Sequence, residues 1–267
     1  MASANTTVYD IADCTFSYRG FPCLSDIDLT LQQGKLYGLI GPNGSGKTTL
    51  LNLLTGTAKP TTGSVTFYSS KIHSYPKPEL ARKLSFVPQS FSMEFEYTVF
   101  EVVMMGRHPF IERFGQPGSH DIELVMKSLK TLDIFHLKDR YITRLSGGER
   151  QRVIVARALA QNTDVMVLDE ATASLDVRHS IDIMHALRTR VTQSNATIIA
   201  AIHDLDLAAC FCDELVIMQD GRIHTSGPVN DVLSGEMLKN VFSVDADIAY
   251  SSENTAHIQY RYTHDQQ

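Results

Sequence analysis

The sequence is poor in cysteine, has no excess of positive charge and lacks a long hydrophobic run. Its four cysteines in 267 residues match no zinc-ligand spacing and are too few for a disulfide framework, which indicates free thiols in a reducing compartment. The net charge of −6 gives no support for nucleic-acid binding, so we expect no nucleic-acid partner. No apolar run approaches the roughly 18 residues of a membrane span. The N-terminus also has no segment typical of a secretory signal, and we expect none.

The chain is organised around a glycine-rich segment at residues 41–48, between a predicted strand at 36–40 and a predicted helix at 49–54. This context is the one in which G-x-x-x-x-G-K-[ST] forms a phosphate loop. Its glycines let backbone N–H groups turn toward a polyphosphate, Lys47 would reach the β- and γ-phosphates, and the Thr48 hydroxyl would bind Mg²⁺. The alternative, a connection with a chance lysine, does not account for the flanking strand and helix. The predicted phosphate-binding residues are Gly41, Pro42, Asn43, Gly44, Ser45, Gly46, Lys47, Thr48 and Thr49.

Hydrophobic periodicity predicts an α/β fold. Alternation of apolar and polar residues around the glycine-rich segment predicts antiparallel strands, and fully apolar strands that alternate with helices later in the chain predict a parallel sheet. The predicted strands are residues 7–18, 24–31, 64–68, 165–168, 197–202, 214–219 and 222–225. The predicted helices are residues 79–84, 100–105, 121–132, 177–193 and 204–213, with a loop at 106–119. In the polar tail, residues 247–250 and 256–262 are candidates for a β-hairpin.

Two acidic residues follow the apolar strand 165–168. Asp169 at the carboxyl end of a strand beside a phosphate loop is placed to bind Mg²⁺ through water. Glu170 can orient and polarise an attacking water. The alternative is that both residues begin a solvated turn.

A second anion site is predicted at Ser146, Gly147, Gly148 and Glu149, which open a helix after Leu145. A hydroxyl, free N–H groups and a helix N-terminus together favour a phosphate. One small nucleotide needs only one such helix end. We therefore expect the second to serve a nucleotide bound to another copy of the chain.

These motifs, with Gln89, residues 174–176 and His203, resemble the nucleotide-binding subunit of an ATP-binding-cassette (ABC) transporter over about residues 7–240. The resemblance implies a RecA-like P-loop NTPase core with an antiparallel β subdomain and a helical subdomain at about 90–160. It also implies one ABC domain at 1–240, with 241–267 as a C-terminal tail.

The resemblance assigns ATP and Mg²⁺ as cofactors and gives individual residues their roles. It implies that Tyr18 stacks on adenine, that Gln89 contacts Mg²⁺ and the attacking water, and that residues 146–149 contact the partner's γ-phosphate. Asp176 would join the two sites of a dimer, and His203 would contact the γ-phosphate and the Glu170 region. Taken alone, the tyrosine, glutamine and histidine are ordinary strand, loop and strand-end residues.

The resemblance implies an ATPase that needs a second copy of itself, a separate polytopic permease and, indirectly, a substrate-binding protein. It places the chain peripherally at the cytoplasmic face of the cell membrane. The segment Met-Gly-Arg-His-Pro at 105–109 is similar to cassettes that import iron–siderophore, haem or cobalamin, and apolar residues at 91–97 are candidates for the permease groove. Another transported substrate, such as a metal ion or oxyanion, or a non-transport ABC ATPase of DNA maintenance or translation, stays an alternative.

Overall fold

The computed structural model describes residues 6–173, 175–250 and 256–261. Its strands are β1 (Thr7–Tyr18), β2 (Phe21–Gln32), β3 (Leu36–Ile40), β4 (Thr62–Phe67), β5 (Ser70–Lys71), β6 (Leu84–Val87), β7 (Val165–Asp169), β8 (Thr197–Ala201), β9 (Glu214–Gln219), β10 (Arg222–Pro228), β11 (Ala246–Tyr250) and β12 (Ala256–Tyr260). Its α-helices are α1 (Lys47–Leu54), α2 (Lys77–Lys83), α3 (Val99–Met104), α4 (Ser119–Thr131), α5 (Gly147–Gln161), α6 (Val177–Ser194), α7 (Leu205–Phe211), α8 (Val229–Val232) and α9 (Gly235–Phe242). Within the described part of the chain, every helix is too short or too polar to cross a membrane.

The largest sheet has the order β10-β9-β3-β8-β7-β6, and it is parallel except for the antiparallel edge strand β10. Strand β3 lies inside this sheet and is buried on both of its faces. Tyr37 and Leu39 contribute to one hydrophobic core, whereas Leu36 and Ile40 contribute to another on the opposite face. A strand that is buried on both faces requires apolar residues at every position, as the sequence predicts.

One core joins this sheet to the antiparallel sheet β2-β1-β4-β5 and to α1. The other core joins the opposite face to helices that include α3, α4, α5 and α6. The α/β fold with antiparallel and helical parts is therefore confirmed. The glycine-rich segment lies between β3 and α1, and it begins at the carboxyl end of β3.

Two predicted elements are wrong in part. The helix predicted at 79–84 ends at Lys83, and Leu84 begins strand β6, which pairs with β7 at the edge of the sheet. Burial of Leu84 and Val87 against this sheet favours the extended conformation. The loop predicted at 106–119 begins with a 3₁₀ turn at Met105–Phe110.

The C-terminal part contains the antiparallel pair β11 and β12, with Ile248 opposite Ile258. The connection at 251–254 lies outside the described residues. Helix α9 crosses the predicted boundary at residue 240, and the division into a domain and a tail stays a prediction.

Candidate functional site

A cavity of about 620 Å³ opens beside the N-terminus of α1. It brings together predicted site residues from four separate parts of the chain. The predicted residues that line it are Asn43, Gly44, Gly46, Lys47, Thr48, Thr49, Gln89, Glu170 and His203. Because these side chains follow β3, β6, β7 and β8, they lie at the carboxyl edge of the parallel sheet, where α/β proteins bind ligands.

The loop before α1 has a backbone that requires glycine at Gly46. Its φ is +102°, and a Cβ there would lie 2.6 Å from Cδ2 of Leu24. The neighbouring Ser45 hydroxyl is buried and has no hydrogen-bond partner among the described residues. A buried polar group of this kind is suited to a bound polar ligand.

Lys47 is the first residue of α1 and is 5% exposed. Its ammonium donates to the carbonyl oxygens of Gly41 at 2.8 Å and Pro42 at 3.1 Å. Burial lowers its pKa, an effect that the nearby carboxylates of Glu170 and Asp169 oppose. A buried ammonium beside a helix N-terminus provides positive charge for an anionic ligand.

Thr48 and Asp169 provide the oxygen donors of the site. The Thr48 hydroxyl donates to Oδ1 of Asp169 at 3.2 Å, and burial raises the pKa of this carboxyl. A hydroxyl and a carboxylate fit Mg²⁺, which prefers oxygen ligands and retains several waters. In residues 6–173, 175–250 and 256–261, no group of three or more His, Cys, Asp or Glu side chains converges as a metal site.

Glu170 is held by two polar side chains. The Gln89 amide donates to Oε2 at 2.7 Å, and Nε2 of His203 lies 2.5 Å from Oε1. The backbone of Glu170 has a φ of +52°, which is uncommon for a residue other than glycine. Such strain persists where the surroundings impose the conformation, and it is frequent at functional sites.

The predicted second anion site lies outside the cavity lining. Ser146 caps α5, because its hydroxyl accepts from the Glu149 N–H at 3.3 Å while the Glu149 carboxylate accepts from the Ser146 N–H at 2.8 Å. The Ser146 hydroxyl also donates to Oε2 of Glu149 at 2.7 Å, and this hydrogen bond, followed by the one from the Ser146 N–H, holds the pKa of Glu149 below its usual value. Gly147 and Gly148 are the first residues of the helix, where backbone N–H groups have no partner within the helix.

Six other predicted residues are also absent from the cavity lining. Gly41, Pro42, Ser45 and Asp169 hydrogen-bond to residues that line it, whereas Tyr18 and Asp176 belong to other parts of the chain. Tyr18 ends β1, is 47% exposed and contacts the Phe16 ring edge-on at 4.7 Å between centroids. Asp176 caps α6 by accepting from the His179 N–H at 2.9 Å, and this hydrogen bond lowers its pKa. Residue 174, in the same predicted motif, lies outside the described residues.

Four lining residues were not predicted from the sequence. They are Pro22, Cys23, Asp220 and Gly221. The Gly221 N–H donates to the Ser45 carbonyl at 3.1 Å, and its own carbonyl accepts from the Ser25 N–H at 2.9 Å. The Asp-Gly pair indicates a turn in the sequence, but only tertiary contacts bring that turn to the phosphate loop.

Comparison with known proteins agrees with this geometry. The model of the family described as ABC transporter matches residues 24–173. The cobalamin import ATP-binding protein of Halobacterium salinarum is 41% identical over 244 residues, which are 91% of this chain and 60% of that protein. The hemin import ATP-binding protein of Thermobifida fusca is 36% identical over 92% of this chain and 86% of its own length. The chain thus spans about 60% of the cobalamin relative's length.

Two solved structures are similar along most of the chain. One is a candidate metal-chelate type ABC transporter in an inward-facing conformation, with a TM-score of 0.81, 28% identity and coverage of 96% of this chain and 98% of that one. The other is a dimeric bacterial ABC transporter cassette, with a TM-score of 0.75, 28% identity and coverage of 83% and 98%. The motifs, the fold and these relatives agree, and the chain belongs to the ABC transporter family of ATP-binding cassettes.

Proposed function

We propose that the chain is the ATP-hydrolysing subunit of an ABC import system. The observation that carries this proposal is the position of Glu170, which is held by Gln89 and His203 beside Lys47 in one cavity. A cavity that only bound nucleotide would not need a carboxylate oriented in this way. The names of the two relatives, both import ATP-binding proteins, support the same function.

The residues suggest how ATP is hydrolysed. The loop N–H groups, Ser45 and Lys47 would bind the phosphates, and Thr48 and Asp169 would hold Mg²⁺, which would supply neutralising charge to the phosphates. Glu170 orients a water and accepts its proton as the water oxygen bonds to the γ-phosphorus. The bond from that phosphorus to the bridging oxygen breaks, and ADP and phosphate result. In this proposal His203 keeps the Glu170 carboxylate in place and contacts the γ-phosphate.

Each chain supplies only part of a reaction site in this proposal. The turn at Ser146–Gly148 and the cap Asp176 lie outside the chain's own cavity lining, so we assign them to the nucleotide of a second copy. Ser45 and Asp169 are not lining residues either, but they hydrogen-bond to the lining residues Gly221 and Thr48 and stay with the chain's own site. Two chains would close head-to-tail around two Mg·ATP and separate after hydrolysis, which is a ligand-driven change between two states. The similarity to a dimeric cassette supports this arrangement.

We assign the permease surface to exposed aromatic residues in the segment that follows Gln89 in the chain and in the residues 141–144 beside it. Phe95 is 71% exposed, Tyr97 is 38% exposed, and the Arg144 guanidinium lies 5.2 Å from the centre of the Tyr141 ring. Aromatic and arginine side chains are enriched at protein interfaces. We propose that a polytopic permease binds here at the cytoplasmic face of the membrane, and that a substrate-binding protein delivers cargo to that permease.

The proposed cargo is an iron chelate, haem or cobalamin. The names of the relatives support cobalamin and haem, and the segment at 105–109 supports the same group of cassettes. A metal ion or an oxyanion is the alternative cargo. Uptake of labelled iron–siderophore, haem and cobalamin by a deletion strain is the direct measurement. Unchanged uptake of all three, in a strain without a redundant system, would contradict this cargo class.

Glu170→Gln tests the catalytic proposal. The amide keeps the size of the side chain but cannot accept the proton, so we expect turnover to fall by about 100- to 10,000-fold. ATP affinity should stay within about twofold, because the phosphate loop is unchanged. Steady-state phosphate release and titration with a fluorescent ATP analogue measure the two quantities. Undiminished hydrolysis would refute the role of Glu170.

A further inference from the structure

The segment Met105–Phe110 has no part in the proposed reaction, yet it packs tightly against α5. A Cβ on Gly106 would lie 2.2 Å from the Arg157 carbonyl oxygen of that helix. Only glycine allows this approach of the two backbones. The 3₁₀ turn is therefore fixed against the C-terminal half of the helix whose N-terminus carries Ser146.

Arg107, the next residue, connects two helix ends. It is 5% exposed, and Nε donates to Oδ1 of Asp121 in the first turn of α4 at 2.8 Å. Its Nη1 donates to the carbonyl oxygens of Ala160 at 3.1 Å and Gln161 at 2.8 Å, the last two residues of α5. The guanidinium also lies 4.1 Å from the centre of the Phe110 ring. A buried cation with this number of partners holds the end of α5 firmly.

The same end of α5 is tied to the core sheet. The Gln161 amide donates to the carbonyl oxygens of Ala81 at 2.6 Å and Leu84 at 3.0 Å. Leu84 begins β6, which leads to Gln89 in the cavity. Arg82 of α2 donates from Nε to the Pro109 carbonyl at 2.6 Å. We call this region, in which Met105–Phe110 contacts α2 and the C-terminal end of α5, the junction.

We propose that Arg107 is a positioning residue that holds the C-terminal end of α5 and thereby sets the position of the Ser146–Gly148 turn at its other end. The inference rests on the proposed function. Helix α5 has 15 residues, so it reaches about 21 Å from the junction to the turn. A small tilt at the junction moves the distant turn, and misplacement by about 1 Å can cost about 100-fold in rate. The affected site is the one that this turn completes in the partner chain.

Arg107→Met and Arg107→Lys test the positioning role. We expect Arg107→Met to lower kcat about tenfold while the chain's affinity for a fluorescent ATP analogue changes less than about twofold. The kcat of Arg107→Lys should lie between those of Arg107→Met and the wild type, because lysine keeps the charge but not the guanidinium geometry. Arg113→Met is the matched control, since Arg113 is exposed and contacts the ring of its neighbour Phe114. A kcat no lower than that of the control would overturn the inference.

Mixed dimers, purified through two affinity tags, identify which site is affected. In a dimer with Lys47→Ala in one chain, only the other chain has an intact phosphate loop. The site that contains this intact loop is completed by the Ser146–Gly148 turn of the Lys47→Ala chain. Arg107→Met placed in the Lys47→Ala chain should therefore impair the dimer, whereas Arg107→Met in the partner should not. The opposite pattern would mean that Arg107 acts on its own cavity and would overturn the inference. If the mixed dimer with Lys47→Ala in one chain and no Arg107 substitution has no turnover, the same dimers are made in a Glu170→Gln background. Retention of labelled ATP is then measured in place of turnover.

The outcomes separate this inference from the proposed function. A wild-type chain without ATPase activity would contradict the proposed function. An active wild type whose Arg107 variants match the Arg113→Met control would contradict the positioning role alone. A thermal denaturation curve of each variant verifies that the chains are folded at the assay temperature.

Discussion

Lys47 illustrates how a single buried charge prepares the loop for phosphate. Its ammonium is held by two backbone carbonyls, contacts that a phosphate would replace with stronger charge-assisted hydrogen bonds. We expect Lys47→Ala to weaken binding of a fluorescent ATP analogue by about 10- to 100-fold, the range of one lost hydrogen bond to a charged group. Lys59→Ala is the control, because Lys59 is exposed after α1. An affinity equal to that of the wild type would argue against the phosphate-loop assignment.

Asp169 shows a conflict between stability and function. Burial raises the pKa of its carboxyl, so the folded chain binds this proton more tightly than the unfolded chain does. The contribution of Asp169 to stability is then full below the unfolded pKa and is lost as pH rises through the folded pKa. At neutral pH the buried carboxylate costs stability in the absence of Mg²⁺.

Asp169→Asn should therefore stabilise the ligand-free protein at neutral pH. The amide oxygen can still accept from the Thr48 hydroxyl, and we expect a gain of about 1 kcal/mol, a rise in Tm of about 2–4 °C. The gain should disappear as the pH falls below the raised pKa, because the native carboxyl is then neutral too. Thermal denaturation without Mg²⁺ or nucleotide between pH 4 and 8, roughly the range in which proteins titrate carboxyls and histidine, makes the comparison. A variant less stable than the wild type at neutral pH would contradict the pKa argument.

For individual residues, the sequence predicts those that carry chemistry within a motif, but it does not predict those that only tertiary contacts bring to the site. Lys47, Asp169 and Glu170 follow apolar strands, and the ends of parallel strands meet at one edge of a sheet. Asp220 and Gly221 look like any hairpin turn in the sequence, and their place beside Ser45 depends on how β9 pairs with β3.

Among the elements, β12 has the clearest two-sided pattern in the C-terminal part. Ile258 is 8% exposed and belongs to the core between the largest sheet and helices α3, α4, α5 and α6, whereas its neighbour His257 is exposed. The Ile258 N–H also donates to Oδ1 of Asp206 at 3.1 Å, which ties β12 to α7, the helix that follows His203.

Ile258→Ala should lower the free energy of unfolding by about 2–5 kcal/mol, because it removes buried methyl groups and leaves a cavity. His257→Ala on the opposite face should change it by less than about 0.5 kcal/mol. Urea denaturation of the two variants and the wild type provides the comparison. Equal stabilities of the two variants would mean that β12 does not pack on the core as described.

The elements that periodicity predicts least well are the short ones. Strand β6 has four residues and follows α2 without a turn; its first residue, Leu84, falls in the helix predicted at 79–84, and the sequence pattern predicts no strand at residues 85–87. Its conformation is decided by pairing with β7, which a local pattern does not contain. The 3₁₀ turn at Met105–Phe110 is missed for a similar reason, because Gly106 and Pro109 favour a loop unless α5 is beside them.

For the whole molecule, the proposal requires that one chain complete the site of another. The turn at Ser146–Gly148 offers helix N–H groups but is not part of its own chain's cavity lining. Nucleotide should therefore control association.

The Glu170→Gln protein tests this expectation, because it keeps the bound nucleotide intact. We expect a species of 29.7 kDa without ligand and twice that mass with Mg·ATP, as measured by light scattering after size-exclusion chromatography. The increase should be absent with ADP, which lacks the phosphate that joins the two chains. Lys47→Ala in the same background is the control, and it should stay monomeric at an ATP concentration well below its weakened dissociation constant, where its loop is largely empty. If the ATP-loaded Glu170→Gln protein also stays monomeric, alone and with its permease, the shared-site mechanism is wrong, since no partner turn then reaches the γ-phosphate.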